Sequence, residues 1–225
     1  MSDLPKVAVT MGDPAGVGPE ICLALLREPS MAAICTPIVF GSAAVLRRVS
    51  DKLGIPFEAP IISQEGFAES VDSIVEPAAL NLPCEDAESF EPCRVDARCG
   101  EAAYQWVLTA IEAGLAGQVD AIATAPLNKE AMHAAGHHYP GHTEIFAERM
   151  EAEHSCMMLT SDELTCSFVT VHVGYHEVPA LLTVDRIVEV IDLTTAAMRR
   201  IRRREPKLLI CGLNPHAGEG GIFGN

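Results

Sequence analysis

Lys6-Val7-Ala8-Val9-Thr10-Met11-Gly12-Asp13-Pro14-Ala15-Gly16-Val17-Gly18-Pro19-Glu20 is the stretch on which the fold turns. Lys6 to Met11 is a short β-branched run that breaks at Gly-Asp-Pro, the pattern of a buried strand. Pro19 to Arg27 then carries apolar residues at helical spacing, with Pro19 suited to a first turn. Strand, glycine loop and helix form the opening of an α/β fold. The pattern continues with a strand at Pro37–Phe40, a helix at Ser42–Leu53 and a short strand at Pro60–Ser63. Residues Asn81 to Arg98, acidic with Pro83 and Pro92, read as a surface connection. A long amphipathic helix, Cys99–Leu115, ends before Gly117, and Ala121–Thr124 is the next strand.

A second part is expected to begin near Pro140, giving domains of 1–139 and 140–225. Thr143–Glu151 reads as helix, and Ser155–Thr160 with Leu164–Val171 as a hairpin around Ser161-Asp162-Glu163. Asp185–Arg203 is a long helix with Thr183 as N-cap, and Lys207–Cys211 a strand entering a glycine-rich loop. Strands alternating with helices predict a largely parallel sheet. A further helix should follow Lys207–Cys211. Residues 212–225 contain none, so the sequence is expected to be the N-terminal part of a longer protein.

Composition narrows the classes. The chain has 225 residues, 48% of them hydrophobic, which excludes a disordered polymer. Acidic residues number 31 against 16 basic, a net charge of −15, which argues against nucleic acid as a partner. The basic run Arg199–Arg204 closes a helix, where cations offset the dipole. The longest charge-free stretch, Pro29–Leu46, is broken by Pro37 and Gly41, so no membrane span is expected. Met1–Pro5 is polar and gives no signal-peptide pattern. Cys22, Cys35, Cys156, Cys166 and Cys211 sit singly in apolar runs, as buried thiols do. Cys84, Cys93 and Cys99 show no CxxC spacing, and a reducing cytoplasm is the expected compartment.

Five segments have the composition of a site. In Thr10–Glu20, glycines let backbone amides approach an anion at a helix start; the alternative is a tight turn requiring positive φ. In Ala123–Glu130, Asn128 caps the next helix and Lys129 falls in its first turn, where a cation is unfavourable unless it pairs with an anion; the alternative is a solvated lysine. In Tyr139–Glu144, His142 and Thr143 stand at a helix start, with Thr143 as a simple N-cap the alternative. His133, His137 and His138 have no ligand-like partner and read as surface residues. His172 follows the Leu164–Val171 strand and His216 follows Lys207–Cys211. Ligands of open α/β sheets bind beyond the carboxyl ends of strands, and two imidazoles there suit a divalent ion. A catalytic metal wants about three protein ligands, and only two are identified. His176 rivals His172 but lies further into the loop.

Taken in order, TMGDPAGVGPE (Thr10–Glu20), PLNKE (Pro126–Glu130), PGHTE (Pro140–Glu144), the segment ending in His172, and GLNPHAGEGG (Gly212–Gly221) resemble the 4-hydroxythreonine-4-phosphate dehydrogenase family of vitamin B6 synthesis. The resemblance implies an isocitrate/isopropylmalate dehydrogenase-like fold of two α/β domains with a cleft between them, and a homodimer whose active site also touches the subunit interface. It implies substrate contacts from His142 and Thr143, a divalent metal (zinc, cobalt or magnesium) on His172 and His216, and NAD or NADP as cofactor. A third metal histidine and further substrate and dinucleotide residues belong to a later segment. Asp13 and Lys129 are assigned supporting catalytic roles. The expected reaction is oxidation and decarboxylation of a phosphorylated 3-hydroxy acid, most simply 4-hydroxy-L-threonine 4-phosphate. ATAPLNKE, the His-Tyr-Pro before GHTE and the final GIFGN are closer to a sister branch acting on 4-phospho-threonate or 4-phospho-erythronate. A more distant branch oxidises cis-dihydrodiols of aromatic acids. The competing class is a non-catalytic phosphometabolite-binding module.

Overall fold

A computed structural model describes residues 4–224. The chain forms two compact units, Met1–Ala152 and Glu153–Asn225. In the first, β1 (Lys6–Thr10), α1 (Gly18–Leu25), β2 (Thr36–Gly41), α2 (Ala43–Leu53), β3 (Ile61–Ser63), α3 (Phe67–Ser70), β4 (Ala78–Asn81), α4 (Ala97–Leu115), β5 (Ala121–Thr124), α5 (Lys129–Ala134) and α6 (His142–Arg149) follow in order. The strands make one five-stranded sheet in the order β3-β4-β2-β1-β5, and every pair is parallel. On one side of β1 lie β2, then β4, then β3 at the edge, and β5 docks on its other flank. That reversal makes the carboxyl ends of β1 and β5 a topological switch point.

The core explains why these residues form these elements. β2 is buried along its length, as a strand covered on both faces must be. Ile38, Val39, Phe40, Leu80 and Trp106 are fully or almost fully enclosed. The Phe40 ring meets Phe67 edge to face at 5.5 Å, and the Trp106 indole N–H donates to the Leu82 carbonyl at 3.1 Å. Ser42 caps α2 and Gly54 ends it in the left-handed region; Asp96 caps α4 through the Arg98 amide at 2.9 Å.

Several expectations need correction. β4 was not anticipated, although it is central in the sheet; two of its four residues are alanines, which carry little strand preference. The 81–98 segment is more than a surface connection: its Ala87 and Phe90 are buried in the core. Ile145 of α6 is buried with Tyr104, Val107, Ile111 and Met132.

The second unit contains β6 (Met158–Thr160), β7 (Thr165–Ser167), α7 (Val178–Leu181), α8 (Val184–Arg202) and a 3-10 stretch at Pro215–Gly221. β6 and β7 form the expected hairpin, pairing Met158 with Ser167 and Thr160 with Thr165. Thr183 caps α8 as expected. The Arg186 guanidinium bonds the Val169 carbonyl at 3.1 Å and the Ser155 carbonyl at 3.0 Å, tying α8 to the segments flanking the hairpin. β7 ends at Ser167, not Val171. Lys207–Cys211 is not a strand: no neighbouring strand pairs with it among the described residues, and Leu209 is 96% exposed. The eight cysteines are free thiols, but Cys166 and Cys211 are exposed rather than buried. No helix among the described residues is long and apolar enough to cross a membrane.

Candidate active site

The switch point brings together two of the five segments. The Asp13 amide donates to the Pro126 carbonyl at 3.0 Å, and the Ala125 amide to the Thr10 carbonyl at 2.9 Å. The loops after β1 and β5 are therefore laced edge to edge. Gly12 adopts φ +71°, so the tight-turn reading of this glycine holds, and a Cβ there would lie 2.3 Å from the Pro126 oxygen.

Asp13 is 6% exposed. Its Oδ1 accepts from the Ala15 amide at 2.9 Å, and the Cys99 thiol also hydrogen-bonds the carboxylate. Burial raises the Asp13 pKa above its ordinary 3.8, and those two donors offset part of the rise. Burial, followed by the neighbouring Asp13 charge, pushes the Cys99 thiol up to about 12, so it stays a donor. A consequence for stability follows. As pH rises above 3.8 the unfolded chain ionises at this position before the folded one, so Asp13 lowers stability through that window and above it. Asp13→Asn should raise Tm more at pH 7.5 than at pH 4.5, by calorimetry at both values. An equal change at both would show that the carboxylate's ionisation is not the cause.

On the β5 side, Asn128 Oδ1 accepts from the Ala131 amide at 3.1 Å and caps α5 as expected. Lys129 is exposed in the first turn. At α6 the N-cap is Gly141 and no side chain caps it, so Thr143 is not the N-cap and its hydroxyl is not spent there. His142 is half-buried and its Nε2 has no partner among the described residues. Burial lowers its pKa, which favours the neutral imidazole. Thr10 Oγ1, at the end of β1, is another buried polar atom without a partner among the described residues.

The loop before α6 corrects the reading of its histidines. His137 Nε2 lies 2.6 Å from Glu101, and its ring stacks on Tyr104 with centroids 3.7 Å apart. The Tyr139 ring stacks on Tyr104 from 5.8 Å, and Arg149 hydrogen-bonds the Tyr104 hydroxyl. Aromatic stacking on α4 thus fixes the approach to His142. A cavity of about 670 Å³ lined by Leu82, Cys84, Arg98, Glu101 and Trp106 contains none of the six expected site residues.

His172 and His216 belong to the second unit. Both are exposed and both hold positive φ, 57° and 52°. Residues other than glycine reach that region at a cost of roughly 1–3 kcal/mol, and such strain gathers at ligand clamps. The donor set fits a divalent ion in type, since imidazole nitrogens suit zinc and cobalt. It falls short in number: among the described residues, no group of three or more His, Cys, Asp or Glu side chains is placed to hold a metal.

Fold and switch-point loops define a parallel α/β unit whose loops after β1 and β5 meet at the carboxyl ends of the strands. The profile described as "Pyridoxal phosphate biosynthetic protein PdxA" matches residues 33–225. A 4-hydroxythreonine-4-phosphate dehydrogenase of Trichlorobacter lovleyi is 39% identical over 98% of this chain and 66% of its own. A D-threonate 4-phosphate dehydrogenase of Pectobacterium atrosepticum is 38% identical over 97% and 67%. The crystal structure of a 4-hydroxythreonine-4-phosphate dehydrogenase from Klebsiella pneumoniae superposes with a TM-score of 0.83 at 38% identity, covering 98% of this chain and 67% of that one. The chain belongs to the PdxA family, and it spans about two thirds of the length of these relatives.

Proposed function

We propose that this chain is part of an NAD(P)-dependent dehydrogenase that oxidises and decarboxylates a 4-phosphorylated 3-hydroxy acid, with 4-hydroxy-L-threonine 4-phosphate as the substrate. The observation that carries this reading is the lacing of the Gly12-Asp13 loop to the Pro126 loop at the switch point, in a chain of this family. D-threonate 4-phosphate is the second reading, supported by a relative of nearly equal identity acting on it by name. The proposed enzyme is a homodimer.

The reaction sets the demands on the residues. The C3 hydroxyl gives up its proton and C3 its hydride, leaving a 3-keto acid. The C1–C2 bond then breaks, CO₂ departs, and the electron pair left at C2 takes up a proton. NAD(P)+ would supply the hydride-accepting chemistry when bound, and His172 and His216 would be two of the side chains holding a divalent ion, which would supply Lewis acidity. The remaining roles belong to side chains. His142 offers a neutral imidazole nitrogen with no partner among the described residues, able to hold a substrate oxygen. Thr143 adds its hydroxyl beside it. Lys129, a cation in the first turn of α5, pairs with substrate negative charge. Asp13, secured by Ala15 and Cys99, supports the loop and accepts a hydrogen bond from bound ligand.

The test sets both phosphorylated acids against NAD+ and NADP+ and follows absorbance of the reduced cofactor together with CO₂ release. We expect reduced cofactor and CO₂ in equal amounts from one acid. Binding of a phosphorylated acid without cofactor reduction would instead favour a metabolite-binding module.

A further inference from the structure

We propose that Arg48 is a positioning residue for this site. Its guanidinium fastens the Ala87–Phe90 strap to the β1–α1 loop and so sets where the Asp13 carboxylate sits. The proposal rests on the reading of that loop as part of the active site, and the experiment below separates the two.

Arg48 lies in α2 and is half-buried. Among the described residues it has no carboxylate partner. Its donors go to three backbone carbonyls from two places in the chain. Nη1 bonds the Ala87 and Phe90 oxygens, each at 2.9 Å, and Nη2 bonds the Pro14 oxygen at 3.0 Å. The guanidinium carbon also lies 6.0 Å from the centroid of the Phe90 ring. A second stitch runs alongside, from the Cys93 amide to the Ala15 oxygen at 2.9 Å. The two consecutive carbonyls after Asp13 are therefore both held from the strap side. The Ala15 amide is left to turn back onto Asp13 Oδ1, and the Gly16 amide onto the Asp13 carbonyl at 3.0 Å. The loop's conformation is thus fixed from outside the site by a residue that need not touch substrate. Only a planar fork of several donors meets three carbonyls at once; a lysine ammonium in the same place is a single compact charge.

The test compares Arg48→Lys and Arg48→Gln with the parent in the intact protein. Amide exchange should quicken by about tenfold or more at Gly16 and Cys93, while the sheet amides of Val39 and Leu80 keep their rates. Turnover of the phosphorylated acid should fall by about 10- to 100-fold in both variants, mainly in kcat, since displacement by about 1 Å costs rate on that scale. Added guanidinium ion should restore part of the rate to Arg48→Ala, which a general loss of structure would not allow. Unchanged exchange at Gly16 and Cys93 overturns the proposal, as does faster exchange with parental kcat and KM. A parent protein inert toward both acids would sink the functional reading instead, and the exchange rates would then decide alone whether Arg48 fixes the loop.

Discussion

His172→Ala should leave the protein folded, poor in bound metal and slower by roughly 10²- to 10⁴-fold. The size follows from the several kcal/mol that a Lewis acid contributes to a transition state, at about 1.4 kcal/mol per factor of ten. Stability should change little, because His172 is exposed in its own unit. Its φ of 57° provides an internal control. His172→Gly removes the backbone strain of a side chain in the left-handed region. If the loss in His172→Ala came from a distorted backbone, the glycine variant would recover it. If it came from a missing ligand, both variants stay slow and metal-poor. His216→Ala should behave alike, its backbone holding φ 52°. Elemental analysis of the purified proteins and turnover at saturating cofactor provide the two readouts. Parental metal content together with parental turnover would remove both histidines from the metal site.

Much of the first unit was legible because its signals are local. β1, β2 and β5 are short apolar runs bounded by glycine or proline, and the Asn128 cap, like that of Thr183 in the second unit, follows from a side chain that competes for backbone amides. β4 was hidden because Ala78-Ala79-Leu80-Asn81 gains its strand conformation from neighbours on both sides, not from its own preferences. Lys207–Cys211 failed in the opposite direction. Its apolar run has strand preference, but a strand needs a partner ladder, and Leu209 remains exposed without one. The motif segments were legible as glycine loops at helix starts. What no spacing rule shows is the support around them: Arg48 under the 87–90 carbonyls, Cys99 against Asp13, and His137 stacked on Tyr104. Those contacts join residues 33 to 86 positions apart, so they exist only once the sheet has formed.

The same loop yields the largest expected effect on stability. Gly12→Ala should destabilise the first unit by about 3 kcal/mol or more, and Gly18→Ala comparably, whereas Gly16→Ala should cost well under half of that. Gly12 holds φ +71°, which an L-side chain reaches only at a cost of about 1–2 kcal/mol. Its added Cβ would also stand 2.3 Å from the Pro126 oxygen, a backbone atom that cannot rotate aside. Gly18 needs no unusual φ, but its Cβ would fall 1.9 Å from the Met11 oxygen. Relieving either overlap means parting the loop from its neighbour, and overpacking of this kind costs about 1–3 kcal/mol beyond any strain. At Gly16 the nearest atom is Asp13 Cβ at 3.3 Å, which a shift of a few tenths of an ångström accommodates. In a chain of this size the first two changes should lower Tm on the order of 10 °C. They should also disturb the site, because separating residue 12 from Pro126 breaks the Asp13–Pro126 hydrogen bond that laces the switch point. Thermal melts of the three variants, with kcat/KM alongside, test the ranking. Gly12→Ala melting with the parent, or Gly16→Ala proving the worst of the three, would mean that the β1–α1 loop does not approach the β5–α5 loop this closely.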